Sequence, residues 1–342
     1  MNQFYAMRNP QFELSLVYSK TQCLNLEAGK RKDYFFKKPG FRFRFADKST
    51  VNRATSEKKL SSCDYDIFHP TYYNAYFVDH LNGKPFVLTV YDMIHERLAS
   101  QYSDRDKTAE QKKYLLPQAN RIIAISQNTK KDILQYFPQI QESRIVVTHL
   151  ATSIVKEDAR KPDTAVPSRY ILFIGGRGRY KNFQTLINAA KNILAKDKDL
   201  HVVCAGSEPF KPSESQMLME GGIQKQVHYI PAEDPSLIWL YCNALVFVFP
   251  SLYEGFGIPV LEAFACGCPV VCSNISSLPE VAENAAEYID PQSETSIRQT
   301  LDNVIYNERL RRQMTTLGYE RLKYFSWKNT ALKTMDVYRG VL

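Results

Sequence analysis

The sequence predicts an α/β protein of two Rossmann-like domains facing a cleft, and three observations carry that expectation. Its 342 residues suggest two ordinary domains rather than one. Short apolar runs alternate with amphipathic stretches along most of the chain, the pattern of parallel sheets wound with helices. The alternation is interrupted at residues 156–168 (KEDARKPDTAVPS), a polar stretch with two prolines that reads as a linker. The expected division is therefore 1–155 and 156–325, with any ligand beyond the C-terminal ends of the strands.

In the first half, strands are predicted at Phe12–Tyr18, Ile67–His69, Phe86–Tyr91, Arg121–Ile125 and Ile145–His149. Helices are predicted at Lys107–Gln118 and Thr129–Tyr136, the latter with Asn128 as its N-cap. In the second half, the strands are Tyr170–Ile174, His201–Ala205, Val227–Ile230, Leu245–Phe249 and Pro269–Cys272. Helices such as Phe183–Ala195 and Ser236–Cys242 separate them, and the tail from Ser293 is helical with turns near Gly318 and Ser326.

Composition is that of a globular protein with a substantial core, 44% hydrophobic and 23% charged. No apolar run approaches the ~20 residues that span a bilayer, and residues 1–20 lack a signal-peptide core. The expectation is a cytoplasmic protein. Seven scattered cysteines, with no metal-ligand spacing, read as reduced core thiols. The net charge of +8 is concentrated early: eleven Lys or Arg lie between Lys30 and Lys59, interleaved with aromatics through Tyr34–Phe45. Peripheral contact with an anionic membrane, on its inner face, and a solvated hairpin or helix rim account for this equally well. Nucleic acid is the third and least favoured reading.

The segment from Phe249 to Val271 is the most informative. A buried strand ends at Pro250, a loop holds Gly255 and Gly257, Pro259 stands at the expected first helical position, and Gly267 stops the helix. Glycines let backbone approach a ligand, and free N–H groups at a helix start attract phosphate. Glu262, one turn into the helix, can accept hydrogen bonds from ribose hydroxyls, while Glu254 in the loop can meet a sugar. After strand Tyr170–Ile174, Arg177 (or Arg179) and Lys181 read alone as a solvent-facing basic turn; taken together with the Glu254–Glu262 segment they read as cations that would stabilise charge developing on a leaving diphosphate.

The segment EGFGIP, followed by EAxAxGxPV, resembles the signature of family 4 retaining glycosyltransferases with the two-Rossmann-domain GT-B fold, especially bacterial mannosyltransferase-like members. The similarity extends to Phe68–Tyr73, Thr89–Glu96, Ile122–Ser126, Gly175–Asn182, Leu278–Val281 and Phe325–Trp327. The resemblance implies that Glu254 contacts the donor hexose, that Glu262 holds the ribose, and that Gly255, Phe256, Gly257 and Ile258 line sugar and phosphate. Gly175 and Gly176 would form the opposite wall, and the helix after Ser326 (residues 326–342) would cross back to the first domain. It further implies transfer of a hexose, mannose from GDP-mannose in preference to a UDP-sugar, to a glycan or lipid-linked acceptor in surface polysaccharide synthesis. No bound cofactor or metal is expected.

Two departures qualify the resemblance. The family's V-H-D motif here has Tyr91 before Asp92, so Tyr91, Asp92 and His95 share the candidate acceptor-side role. A phenol is a poor base near neutral pH, and His95 stands equally as a catalytic or a structural histidine. His69 reads as structural, and Ser126 as a cap or cleft-lining residue. The family's early Gly-Gly loop has no counterpart before Gly175, which suggests a first domain short of its first strand. The alternative function is a truncated or degenerate domain that binds nucleotide sugar or a partner without transfer.

Overall fold

The computed structural model describes residues 48–206 and 208–342. The strand expected at Phe12–Tyr18 and the basic-aromatic stretch through Phe45 lie outside the described residues.

After helix α1 (Lys48–Ser61), the first domain builds a parallel sheet from β1 (Val87–Val90), β2 (Arg121–Ala124) and β3 (Ile145–Val147). Val87 pairs with Arg121, and Ile122 with Ile145. The predicted strand Ile67–His69 is reduced to a single parallel bridge from Phe68 to Phe86. Short helices α2 (Ile94–Arg97) and α3 (Thr108–Leu115) connect β1 to β2. Helix α4 (Gln127–Tyr136) follows β2 and is capped by Ser126, whose hydroxyl accepts from Thr129 N. Asn128 is therefore inside the helix and not its N-cap; extended backbone and a short hydroxyl at Ser126 meet the cap's geometric demand two residues earlier.

The second domain is a six-stranded parallel sheet. Its elements are β4 (Tyr170–Ile174), α5 (Phe183–Lys196), β5 (His201–Gly206), α6 (Pro212–Glu220), β6 (Val227–Pro231), α7 (Asp234–Asn243), β7 (Val246–Phe249), α8 (Ile258–Ala265), β8 (Val270–Ser273), α9 (Leu278–Ala282) and β9 (Ala286–Ile289). The spatial order is β6-β5-β4-β7-β8-β9, the doubly wound order whose direction reverses between β4 and β7. Alternate residues feed two cores: Tyr170, Leu172, Phe247 and Phe249 on one face, Ile171, Phe173, Val246 and Val248 on the other. Burial on both faces is what makes these strands legible as continuous apolar runs. Cys204 and Cys272 are buried as free thiols in these two cores.

Helices α10 (Glu294–Tyr306) and α11 (Glu308–Leu322) close the second domain, and α12 (Trp327–Arg339) returns to the first. Val337 packs with Val87 and Ile123. His69 is wedged between Tyr338 Oη at 2.6 Å and Thr89 Oγ1 at 2.8 Å. Burial lowers its pKa to about 4, so it is a neutral structural residue. Among the described residues no helix is long and apolar enough to cross a membrane.

Candidate active site

The loops at the sheet's reversal point face one another across a short gap. After β4, Gly175 adopts φ +112°, and a Cβ on Gly206 would come within 2.8 Å of Gly175 O. At Gly176 and Gly178 a Cβ would meet nothing within 4 Å, so backbone there opens onto free space. Asn182, itself at φ 60°, donates to Pro250 O and Pro291 O, and Leu252 N donates to Tyr180 O at 2.7 Å. These bonds stitch the β4 and β7 loops together and bring Lys181 Nζ to 2.7 Å from Glu254 Oε1. Both side chains are only about one-sixth exposed or less (16% and 14%), so the pair is shielded from bulk water. The ammonium also lies over the Phe249 and Tyr180 rings, at 4.9 and 5.1 Å.

Gly257 caps α8 at φ 110°, with a Cβ excluded by Leu278 at 2.8 Å. Ile258 opens the helix and Pro259 takes its second position, one later than expected. The start of α8 thus faces the gap beside Glu254, with the polarity that favours a phosphate. One turn on, Glu262 Oε2 accepts from Tyr241 Oη at 3.0 Å. Burial raises the Glu262 pKa against the opposing hydrogen bond from Tyr241. Ser277 fixes the loop from below by donating to Glu254 O and Phe256 O.

Arg177 is not brought to this pair. Its Nε lies 3.1 Å from both Glu214 carboxylate oxygens, its Nη2 donates to Glu208 O and Pro209 O, and its guanidinium sits 4.9 Å from the Phe210 ring. Only 4% of the side chain is exposed. The chain turns after Gly176 and sends Arg177 towards the β5–α6 connection, where a carboxylate, two backbone carbonyls and aromatic rings engage its Nε, its Nη2 and its face. Arg177 and Lys181, adjacent in the motif, are thus held by different partners, Glu214 and Glu254.

Opposite stands the loop after β1. The Tyr91 N–H donates to Tyr73 Oη at 2.8 Å and the Tyr91 hydroxyl donates to Thr71 O. Burial, with Tyr72 alongside, raises the Tyr91 pKa, so the phenol stays protonated. Asp92 Oδ1 accepts from Ile94 N at the start of α2. His95 Nε2 lies 3.2 Å from Asp106 Oδ2, while its buried Nδ1 has no hydrogen-bond partner and lies 3.9 Å from Asp92 Oδ1. Its ring lies 4.2 Å from that of Tyr102, the two planes tilted by 38°. The phenols of Tyr102 and Tyr180, one from each domain, are held above their ordinary range by burial, with Asp92 adding to the effect.

The two sides touch at Gly255. A Cβ there would collide with Tyr91 O and lie 2.9 Å from Asp92 Cβ. Ser126 Oγ and Thr129 Oγ1 donate to Gly255 O at 2.7 and 3.2 Å, so Ser126 caps α4 and also contacts the loop after β7. Below this contact, Glu280 of α9 accepts from Gln127 N and Asn128 N at the start of α4 and lies 2.7 Å from His149 Nε2. Glu280 lies within the Leu278–Val281 segment, and nothing in its local sequence marks this interdomain contact. Among the described residues no cluster of His, Cys, Asp and Glu could hold a metal ion.

A doubly wound domain with a helix start and a shielded Lys–Glu pair at its reversal point, closed against a second Rossmann-like domain, defines a GT-B glycosyltransferase architecture. Two family models match it in succession: Glycosyltransferase Family 4 over residues 10–153 and Glycosyl transferases group 1 over residues 155–321. The chain belongs to family 4 of the glycosyltransferases. It is 31% identical over 256 residues to O-antigen chain mannosyltransferase B of Escherichia coli, covering 70% of this chain and 66% of that protein. It is 28% identical over 249 residues to the serotype-specific mannosyltransferase WbdA of E. coli, covering 66% of this chain and 29% of that one. The chain thus spans less than two thirds of the length of either relative. In fold it is similar to Anabaena HepE solved with UDP and glucose, with a TM-score of 0.68 at 13% identity, covering 84% of this chain and 82% of that one.

Proposed function

We propose that this protein transfers a hexose, with retention of anomeric configuration, from a nucleoside diphosphate sugar to a hydroxyl of a glycan or lipid-linked acceptor in surface polysaccharide synthesis. The observation that carries the proposal is the shielded Lys181–Glu254 pair at the sheet's reversal point, beside the start of α8. In this reading the α8 amides hold the diphosphate, Glu262 the ribose, and Glu254 the hexose hydroxyls. Lys181 stabilises the charge that appears when the C1–O bond breaks and its electron pair goes to the departing phosphate. The acceptor oxygen then bonds to C1 from the same face, and its proton passes to a phosphate oxygen. Neither Glu254 nor Tyr91 is needed as nucleophile or base.

Mannose from GDP-mannose is the favoured donor, on the strength of the two mannosyltransferase relatives; a UDP-sugar is the competitor, since HepE was solved with UDP. Calorimetry and transfer assays with GDP-, UDP- and ADP-sugars test the reading. Lys181→Ala is expected to reduce kcat about 10²–10³-fold, as for loss of one preorganised charge-stabilising group. Unchanged nucleotide-sugar affinity in both Lys181→Ala and Glu262→Ala would refute the site. A second reading, nucleotide-sugar binding without transfer, is favoured by one observation: the family's histidine is replaced by Tyr91, a phenol held protonated. Tight binding with no product from any donor would select it.

A further inference from the structure

One contact between the domains is formed by residues that the functional reading does not use. Tyr253 belongs to the second domain, immediately before Glu254, yet its ring is buried against the first domain with 1% exposed. Its hydroxyl donates to Asp132 Oδ2 at 2.7 Å and accepts from Met93 N at 3.2 Å. Asp132, on α4, is 98% buried as a side chain and also receives Arg97 Nη1 at 3.1 Å and Asn128 Nδ2 at 3.0 Å. The Arg97 guanidinium in turn lies 5.8 Å from the centre of the Tyr253 ring.

This chain of bonds has a particular reach. At one end the next residue is Glu254, paired with Lys181; at the other, Met93 is the residue after Asp92. A single phenol hydroxyl therefore ties the loop assigned to the donor sugar to the loop assigned to the acceptor. A carboxylate buried with three donors is a rigid anchor, since each bond to it is charge-assisted and screened from water. Ser126 and Thr129 hold Gly255 O at the same helix start, so the anchoring is continuous over residues 253–255.

We propose that Tyr253 and Asp132 are positioning residues: their hydrogen bond latches the donor loop onto the first domain and sets the separation between Glu254 and Asp92 at which transfer occurs. The proposal rests on the transferase reading above. The nucleotide is held within the second domain in that reading, by α8 and Glu262, so the latch should govern turnover and leave nucleotide binding alone. A misplacement of about 1 Å between reacting groups lowers rates about 100-fold.

The test uses the full chain, with GDP and UDP as binding probes and the active nucleotide sugar as substrate. Tyr253→Phe keeps the ring and removes the latch. It is expected to lower kcat ~10–100-fold while the nucleotide dissociation constant stays within about twofold. Asp132→Asn keeps an acceptor for the phenol and should retain most of the turnover that Asp132→Ala loses. Wild-type kcat in Tyr253→Phe overturns the proposal, as does a parallel loss of nucleotide affinity, or equal losses in the Asn and Ala variants. Should the wild type bind nucleotide without transferring, the transferase reading fails and the latch is judged by small-angle scattering. A radius of gyration that rises in Tyr253→Phe with nucleotide bound supports it, and an unchanged one overturns it.

Discussion

On the side of the cleft that the proposed function gives to the donor, the surface is mainly backbone: Gly175 and Gly176 after β4, Gly257 and the start of α8 after β7, with Lys181 and Glu254 between them. On the acceptor side it is mainly side chain: Asp92, His95 and Asp106 ringed by Tyr72, Tyr91 and Tyr102. A diphosphate presents the same oxygens whatever sugar it carries, so amides and one cation can serve it. Acceptor hydroxyls differ in place and number, and side chains can be exchanged to meet them. The same contrast governs tolerance to mutation. A change in the donor wall alters backbone shape, whereas one in the acceptor wall alters chemistry.

The strongest challenge to this contrast is Arg177, a cation in the donor half that the structure commits to packing. Arg177→Met should leave the partly buried Glu214 with only the Lys211 N–H as partner and cost about 2 kcal/mol of stability, read by denaturant unfolding, with kcat nearly unchanged in the folded fraction. A large fall in kcat at unchanged stability would return Arg177 to the active site. Next is Gly255→Ala, whose Cβ has no room beside Tyr91 O and Asp92 Cβ. It should push the two walls apart and lower transfer about 100-fold, with nucleotide affinity preserved. Equal loss of affinity would mean that the donor wall itself has deformed. Glu262→Ala should weaken nucleotide binding about tenfold, the worth of a hydrogen bond to a charged group, and do so equally for every sugar on one nucleotide.

The smallest effect expected is that of acid on the contact between the walls. Burial alone would raise the Glu280 pKa, but His149 and the amides of Gln127 and Asn128 outweigh it and hold the carboxyl below its ordinary value of 4.5. Its contribution to domain contact is therefore complete above pH 4.5 and disappears as pH falls through the lowered value. Glu280→Gln should abolish that acid step, at a cost on the order of 1 kcal/mol at neutral pH. Scattering or interdomain fluorescence against pH, compared in the two proteins, measures it.

Much of the second domain is legible in the sequence because its central strands are buried on both faces and read as uninterrupted apolar runs. Strand β9 is not, since Glu287 and Tyr288 break the run at the sheet's edge, and α6 is too polar to declare a face. The approach of Lys181 to Glu254 is legible through the glycine loops that flank them. Arg177 is misplaced because linear spacing cannot say which way a side chain leaves a turn. Asp132 and Tyr253 leave no local trace at all: they are separated by 121 positions, and each looks ordinary in its own segment. Contacts between domains are the least legible part of the molecule, because no periodicity records them.

Helix α12 adds an order in time to this order in space. The sheet of the second domain is complete in one contiguous stretch, residues 170–289, whereas the first domain buries Val87 and Ile123 under Val337 and engages His69 with Tyr338. On the ribosome, the first domain to begin emerging is therefore the last to finish folding. Among the described residues, Val87 and Ile123 lack their Val337 partner until residues 327–339 arrive, by which time the whole strand set of the second domain has already been made.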